Sequence, residues 1–213
     1  MTHRLDDLGV IAVVRLADLT DAVAVAHALV AGGVRAVEFT FTNRDAAKAI
    51  SAASAAVGDD GYIGAGSVLD PETARAAILA GARYIVTPTT KPATIELCNR
   101  YGVDVLVGAL TPTEMLTAAE AGAAYVKVFP ASLGGPRYLK DVLGPLPHLR
   151  LIPTGGVAID NVADFIAAGA VAVAMGSNLV DEATVAAKRW GVITQRARDI
   201  TAAVAAAKAS RLG

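Results

Sequence analysis

Eight short runs rich in β-branched and aromatic residues recur along the chain, each followed by an Ala-rich stretch of helical length. They are Val10 to Val14, Ala36 to Phe41, Tyr62 to Gly64, Tyr84 to Val86, Val103 to Val107, Ala124 to Phe129, Leu149 to Pro153 and Val171 to Met175. Successive runs start 19 to 26 residues apart, the length of a strand, a helix and two short connections, and too long for hairpins. Strands that alternate with helices pair in parallel, either in an open doubly wound sheet or in a closed (β/α)8 barrel, and a count of eight favours closure. For 213 residues the expectation is therefore one α/β domain over 1–213, a compact TIM barrel with short loops and no inserted unit.

Local punctuation agrees with that repeat. Asp70-Pro71 supplies an N-cap and a first-turn proline, and Thr111-Pro112-Thr113-Glu114 has the spacing of a capping box. Gly32, Gly81, Gly102, Gly122 and Gly169 each stand shortly before a strand, where a glycine in the left-handed conformation would close the preceding helix. The first eight or nine residues read as a small helix across the barrel bottom, and Asp181 to Leu212 as the last helical layer.

Hydrophobic residues make up 54% of the chain and aromatics only 5%, so the apolar content is largely Ala and Val, suited to close helix-on-strand packing. Nineteen basic residues against 20 acidic ones leave no overall field to draw nucleic acid or an anionic membrane. The longest uncharged stretch, Phe165 to Val180, is too short and too broken by glycine to cross a bilayer. MTHRLDDLG carries acidic residues where a signal peptide carries basic ones, and the lone Cys98 cannot form an internal disulfide. The expectation is a cytoplasmic protein with no nucleic-acid or membrane partner.

Barrel enzymes place their chemistry at the C-terminal ends of the strands. That rule collects Arg15, Glu38, Thr40, Thr42, Ser67, Thr87-Pro88-Thr89, Lys127, Phe129, Thr154-Gly155-Gly156 and Gly176-Ser177 around one cavity. Lys127 lies inside an apolar strand, where burying an ammonium is expensive. Either it snorkels or pairs, or its pKa falls until it becomes a usable amine nucleophile. Glu38 is the other charge within a strand: a structural partner for a base, or, with Lys127 in the same lumen, a general acid/base. The glycines after strands 7 and 8 are either plain turns or openings through which backbone N–H groups and a following helix N-terminus meet a phosphate. His3, His27 and His148 have no metal-ligand spacing, and no Gly-x-Gly-x-x-Gly follows the first strand, so neither a metal nor a dinucleotide is expected.

Gly33-Val-Arg-Ala-Val-Glu-Phe-Thr40, Gly64-Ala-Gly-Ser-Val-Leu69, Val86-Thr-Pro88, Lys127-Val-Phe-Pro130, Pro153-Thr-Gly-Gly-Val157 and Met175-Gly-Ser177 stand in the order and spacing of a known family. Over nearly its whole length the chain resembles the class I aldolases acting on 2-keto-3-deoxy-6-phosphogluconate (KDPG) and 4-hydroxy-2-oxoglutarate (KHG). The resemblance implies that Lys127 forms a Schiff base with the keto carbon, so that no cofactor or metal is needed, and that Glu38 is the general acid/base. It implies that Ser67, where the family usually has threonine, binds the pyruvate carboxylate, that Pro88 and Phe129 line the pyruvate pocket, and that Gly155, Gly156, Gly176 and Ser177 hold the phosphate. Arg15 falls where relatives carry a basic residue near the substrate's distal end, and Thr42 where some carry an arginine contacting the pyruvate part. The implied partner is a small 2-keto-3-deoxy acid, phosphorylated, and the implied assembly a homotrimer. Alternatives are the unphosphorylated 4-hydroxy-2-oxoglutarate reaction, a C4-epimeric phosphogalactonate substrate, or a non-catalytic phosphosugar-binding barrel in which Glu38 and Lys127 merely neutralise each other.

Overall fold

The computed structural model describes residues Arg4–Leu212; His3 lies outside them. The strands are β1 (Val10–Val14), β2 (Ala36–Thr40), β3 (Tyr62–Gly66), β4 (Tyr84–Val86), β5 (Asp104–Ala109), β6 (Tyr125–Val128), β7 (Leu151–Pro153) and β8 (Val173–Met175). They form one parallel sheet in the order β7-β6-β5-β4-β3-β2-β1-β8. A parallel bridge from Thr154 to Ala174 joins its two edges, so the sheet closes into the expected eight-stranded barrel.

The helices are α1 (Arg4–Leu8), α2 (Ala22–Ala31), α3 (Ala46–Val57), α4 (Pro71–Leu79), α5 (Pro92–Arg100), α6 (Pro112–Glu120), α7 (Gly135–Leu143), α8 (Val162–Ala167), α9 (Glu182–Ala186) and α10 (Trp190–Leu212). Asp70 accepts from the Thr73 N–H at the start of α4, and Thr111 and Glu114 close a reciprocal capping box on α6, as their spacing predicts. Of the glycines read as helix closers, Gly81, Gly102, Gly122 and Gly169 do have positive φ. Gly32 does not: its φ is -91, and the left-handed residue after α2 is Gly33 at +93. Two glycines in a row leave the sequence ambiguous, and the backbone reverses one residue later than expected.

Each strand is buried on both faces, so its side chains serve two cores. Outward residues such as Val37, Phe39, Ile63, Val126 and Val128 pack under the helices. Inward residues, including Ile11, Tyr62, Tyr84, Leu106, Tyr125 and Ile152, fill the lower lumen, and Leu5 of α1 joins them from below. Strand boundaries move by up to two residues at an end: β5 runs from Asp104 to Ala109, β7 and β8 begin only at Leu151 and Val173, and β3, which the sequence pattern ends at Gly64, carries on to Gly66. Glycine is a poor strand former in isolation. Here the lumen requires it: a Cβ on Gly64 would stand 2.4 Å from the Tyr84 ring, and one on Gly66 would stand 2.5 Å from Glu38 Oε1.

Candidate active site

Side chains alternate along a strand, and that alternation puts both suspected charges inside the barrel. On β2, Ala36, Glu38 and Thr40 face the lumen; on β6, Tyr125 and Lys127 do. Glu38 is 1% exposed and Lys127 4%. Neither carboxylate oxygen of Glu38 has a hydrogen-bond partner among the described residues. Burial pushes the Glu38 pKa up, against the opposing pull of the Lys127 and Arg15 charges. Burial likewise pushes Lys127 down; Glu38 opposes the shift, and Arg15 adds to it. Both shifts favour the neutral amine and the protonated acid, the forms in which one can attack a carbonyl and the other can give up a proton.

Above the pair lies a cavity of about 250 Å³, lined among others by Val13, Arg15, Phe129, Thr154, Gly155 and Gly156. Gly176, Ser177 and Asn178 complete its far side. Neither charge is itself among the lining residues, but Val13 is in direct register with Glu38, and the Phe129 ring centroid is 5.1 Å from Lys127 Nζ, so the pair is buried beside two residues that line the cavity. Six of the predicted site residues, Arg15, Phe129, Gly155, Gly156, Gly176 and Ser177, thus share one space.

Ser67, Pro88 and Thr42 are not among its lining residues; they follow β3, β4 and β2 at the same end of the barrel. Ser67 adopts φ 56, a backbone conformation uncommon outside glycine and one that gathers at functional sites. The Pro88 turn is pressed against β5, where a Cβ on Gly108 would lie 2.2 Å from the Pro88 carbonyl carbon. The Thr42 hydroxyl is 2.8 Å from that of buried Thr40.

At the glycine loops, Gly155 and Gly156 have φ of 83 and 84, and a Cβ on Gly156 would come within 2.7 Å of Ser132 Cβ. The Gly155 N–H serves the closing bridge to Ala174, whereas among the described residues no acceptor takes the backbone N–H of Gly156, Val157, Ser177 or Asn178. Four such donors around one opening suit an anion. The expected helix N-terminus contributes less than the sequence suggests, because α8 and α9 begin only at Val162 and Glu182, several residues beyond the cavity. The cradle is built from loop backbone.

Thr154, which the strand-end rule gathers with the two glycines that follow it, is buried just after β7, lines the cavity, and its hydroxyl has no partner among the described residues. Its place at a strand end was the available signal. Among the described residues no three His, Cys, Asp or Glu side chains gather to hold a metal ion, and no helix is long and apolar enough to cross a membrane.

Known proteins resemble this chain in sequence and in fold. The chain is 37% identical over 191 residues to the 2-dehydro-3-deoxy-phosphogluconate aldolase of Treponema pallidum (strain Nichols), covering 89% of this chain and 90% of that one. It is 38% identical over 173 residues to the 2-dehydro-3-deoxy-6-phosphogalactonate aldolase of Escherichia coli (strain K12), covering 81% and 84%. Its fold superposes with a TM-score of 0.87 on the KDPG aldolase of Legionella pneumophila with pyruvate captured as a covalent carbinolamine intermediate, at 27% identity and covering 94% and 98%. The family model for KDPG and KHG aldolases matches residues 1–196, from the first strand through the lysine strand and both glycine loops. With a lysine and a glutamate buried in the lumen of its barrel and similarity along almost its whole length, this chain belongs to the KDPG and KHG aldolase family.

Proposed function

We propose that the chain is a class I aldolase that reversibly cleaves 2-dehydro-3-deoxy-6-phosphogluconate to pyruvate and glyceraldehyde 3-phosphate, with Lys127 as the Schiff-base residue and Glu38 as the general acid/base. The observation that carries this reading is the buried Lys127 amine, held toward its neutral form beside Phe129 of a cavity whose loops offer unpaired N–H donors.

In the proposed steps the Lys127 amine adds to the C2 carbonyl, and the carbinolamine, taking a proton from Glu38 or from solvent, loses water to leave an iminium beside the Glu38 carboxylate. The C3–C4 bond then breaks, its electron pair passes into the iminium to give an enamine, and Glu38 takes the C4 hydroxyl proton as the aldehyde departs. Glu38 returns a proton to C3, and water hydrolyses the iminium to release pyruvate. The iminium is the electron sink, so these steps call for no metal. Ser67 and Thr42, each with a hydroxyl at the pyruvate end, are read as carboxylate contacts beside Pro88 and Phe129. Arg15, Gly155, Gly156, Gly176 and Ser177 take the phosphate.

Pyruvate with borohydride tests the covalent step. An adduct on Lys127 alone is expected; an adduct on Lys91 or Lys140, or none, removes the mechanism. Glu38→Gln should keep that adduct and lose cleavage by about 10²- to 10⁴-fold, the usual worth of a general acid/base. The phosphate role is tested by kcat/KM on phosphorylated against unphosphorylated substrate, and equal values would move the assignment to the hydroxy-oxoglutarate reaction. Ser177→Ala is the cleaner perturbation there, because Gly156 has no room for a side chain.

The C4-epimeric phosphogalactonate acid is a second reading, favoured by the 38% identity to the Escherichia coli phosphogalactonate aldolase. Turnover of the two epimers side by side decides between them. The reading extends to a single-domain homotrimer in the cytoplasm, resting on the family resemblance and, for the compartment, on the lone buried Cys98. A monomer by sedimentation would remove the trimer.

A further inference from the structure

The glycine loop after β7 holds its shape through a side chain outside the cavity's lining. Asn161 occupies the N-cap position of α8, where asparagine ordinarily accepts a hydrogen bond from its own helix. It makes no such bond. Its side chain turns back instead: Nδ2 donates to the Gly156 carbonyl at 2.8 Å, and Oδ1 accepts from the Ala158 N–H at 2.9 Å. From the neighbouring loop, Asn178 Nδ2 donates to the Val157 carbonyl at 3.2 Å. Two amide side chains thus engage the carbonyls of Gly156 and Val157 and the N–H of Ala158, while the N–H groups of Gly156 and Val157 stay unpaired beside the cavity.

We infer that Asn161, seconded by Asn178, is a positioning residue that sets how tightly this enzyme holds the phosphate of its substrate. The inference rests on the proposed phosphate reading and deepens it. With the carbonyls tethered outward, a loop containing two consecutive left-handed glycines is confined to the conformation that leaves its donors free. Without the tether, those glycines can adopt many conformations, and the donors must be ordered again each time substrate binds. The phosphate is several bonds from the breaking C3–C4 bond, so the interaction is made equally in the ground and transition states and its loss falls on KM rather than kcat.

The test compares Asn161→Ala, Asn178→Ala and wild type on a 6-phosphorylated 2-keto-3-deoxy acid and its unphosphorylated form, with inorganic phosphate as a competing probe. Asn99→Ala serves as a control, since Asn99 Nδ2 makes the same kind of bond to the Gly122 carbonyl, ahead of β6 at the opposite end of the barrel. Asn161→Ala should raise KM for the phosphorylated substrate by on the order of tenfold and Asn178→Ala by about threefold, with inhibition by phosphate weakening in step. In both, kcat and the pyruvate–borohydride adduct should stay within about threefold of wild type. Should Asn161→Ala not fold, the exposed Asn178 still decides through its own substitution. The inference is overturned if the variants keep the wild-type preference for phosphorylated substrate. It is overturned equally if kcat and adduct fall together with KM, or if Asn99→Ala reproduces the effect. A wild type indifferent to the phosphate fails earlier and differently, and takes the phosphate reading down with it.

Discussion

The protonation of Lys127 is set by burial first and then by two charges of opposite effect. Glu38 favours the ammonium and Arg15 disfavours it, while burial holds the amine below its usual range. Over the pH range in which Glu38 is ionised, Glu38→Gln removes that anion and should lower the Lys127 pKa further, moving the pH profile of pyruvate–borohydride trapping toward acid. Removing the cation in Arg15→Ala should move it toward base. Trapping rates across pH on the two variants check both signs, and shifts in the same direction would mean that Lys127 does not feel this pair. Gly66→Ala probes the other partner, because the new Cβ would meet Glu38 Oε1 at 2.5 Å. The far end of Glu38 can swing away at little cost in stability, but a misplacement of about 1 Å can cost about 10²-fold in rate. Cleavage should fall by at least about tenfold while the Lys127 adduct still forms. Both charges can be picked out in the chain as isolated ions within apolar strands, whereas Gly66 reads there as part of a loop, because its purpose is to leave room for a residue 28 positions away.

The helices owe their limits to chemistry within a few residues, which is why Asp70, Thr111 and Glu114 could be placed from sequence. On α6 the Thr111 hydroxyl accepts from the Glu114 N–H, and the Glu114 carboxylate accepts from the N–H groups of Leu110 and Thr111. These bonds hold the Glu114 pKa below the usual carboxylate value. Thr111→Ala should destabilise the protein by about 1 kcal/mol, read as a shift in the urea midpoint at constant slope. Asn161 obeys the same local rule in sequence and breaks it in space, because the better partners for its amide lie in the loop and not in its own helix.

At the bottom of the barrel, α1 closes the lumen. Leu5 is fully buried against the inward layer that includes Ile11, Tyr84 and Leu106, and Asp6 pairs with Arg150 ahead of β7. Leu5→Ala should cost about 2 to 5 kcal/mol, the range for a buried leucine that leaves a cavity. Because the reactive pair lies toward the other end of the strands, kcat per folded molecule should hardly change. Thermal melting and turnover on the same sample separate the two. A variant that melts normally but turns over slowly would mean that the plug reaches the site.

The sequence by itself determined the repeat of strands and helices, the capped helix ends and the two stranded charges. Each of these follows from backbone sterics, side-chain periodicity or hydrogen bonds between near neighbours. The closing bridge from Thr154 to Ala174, the glycines that open the lumen for Tyr84 and Glu38, and the choice of Gly33 over Gly32 were decided in three dimensions. So were the unpaired N–H groups of the loops after β7 and β8 and the amides that brace them. All of these depend on register between strands far apart in the chain, and register is fixed only once the barrel closes and each inward position must share a lumen too narrow for every side chain.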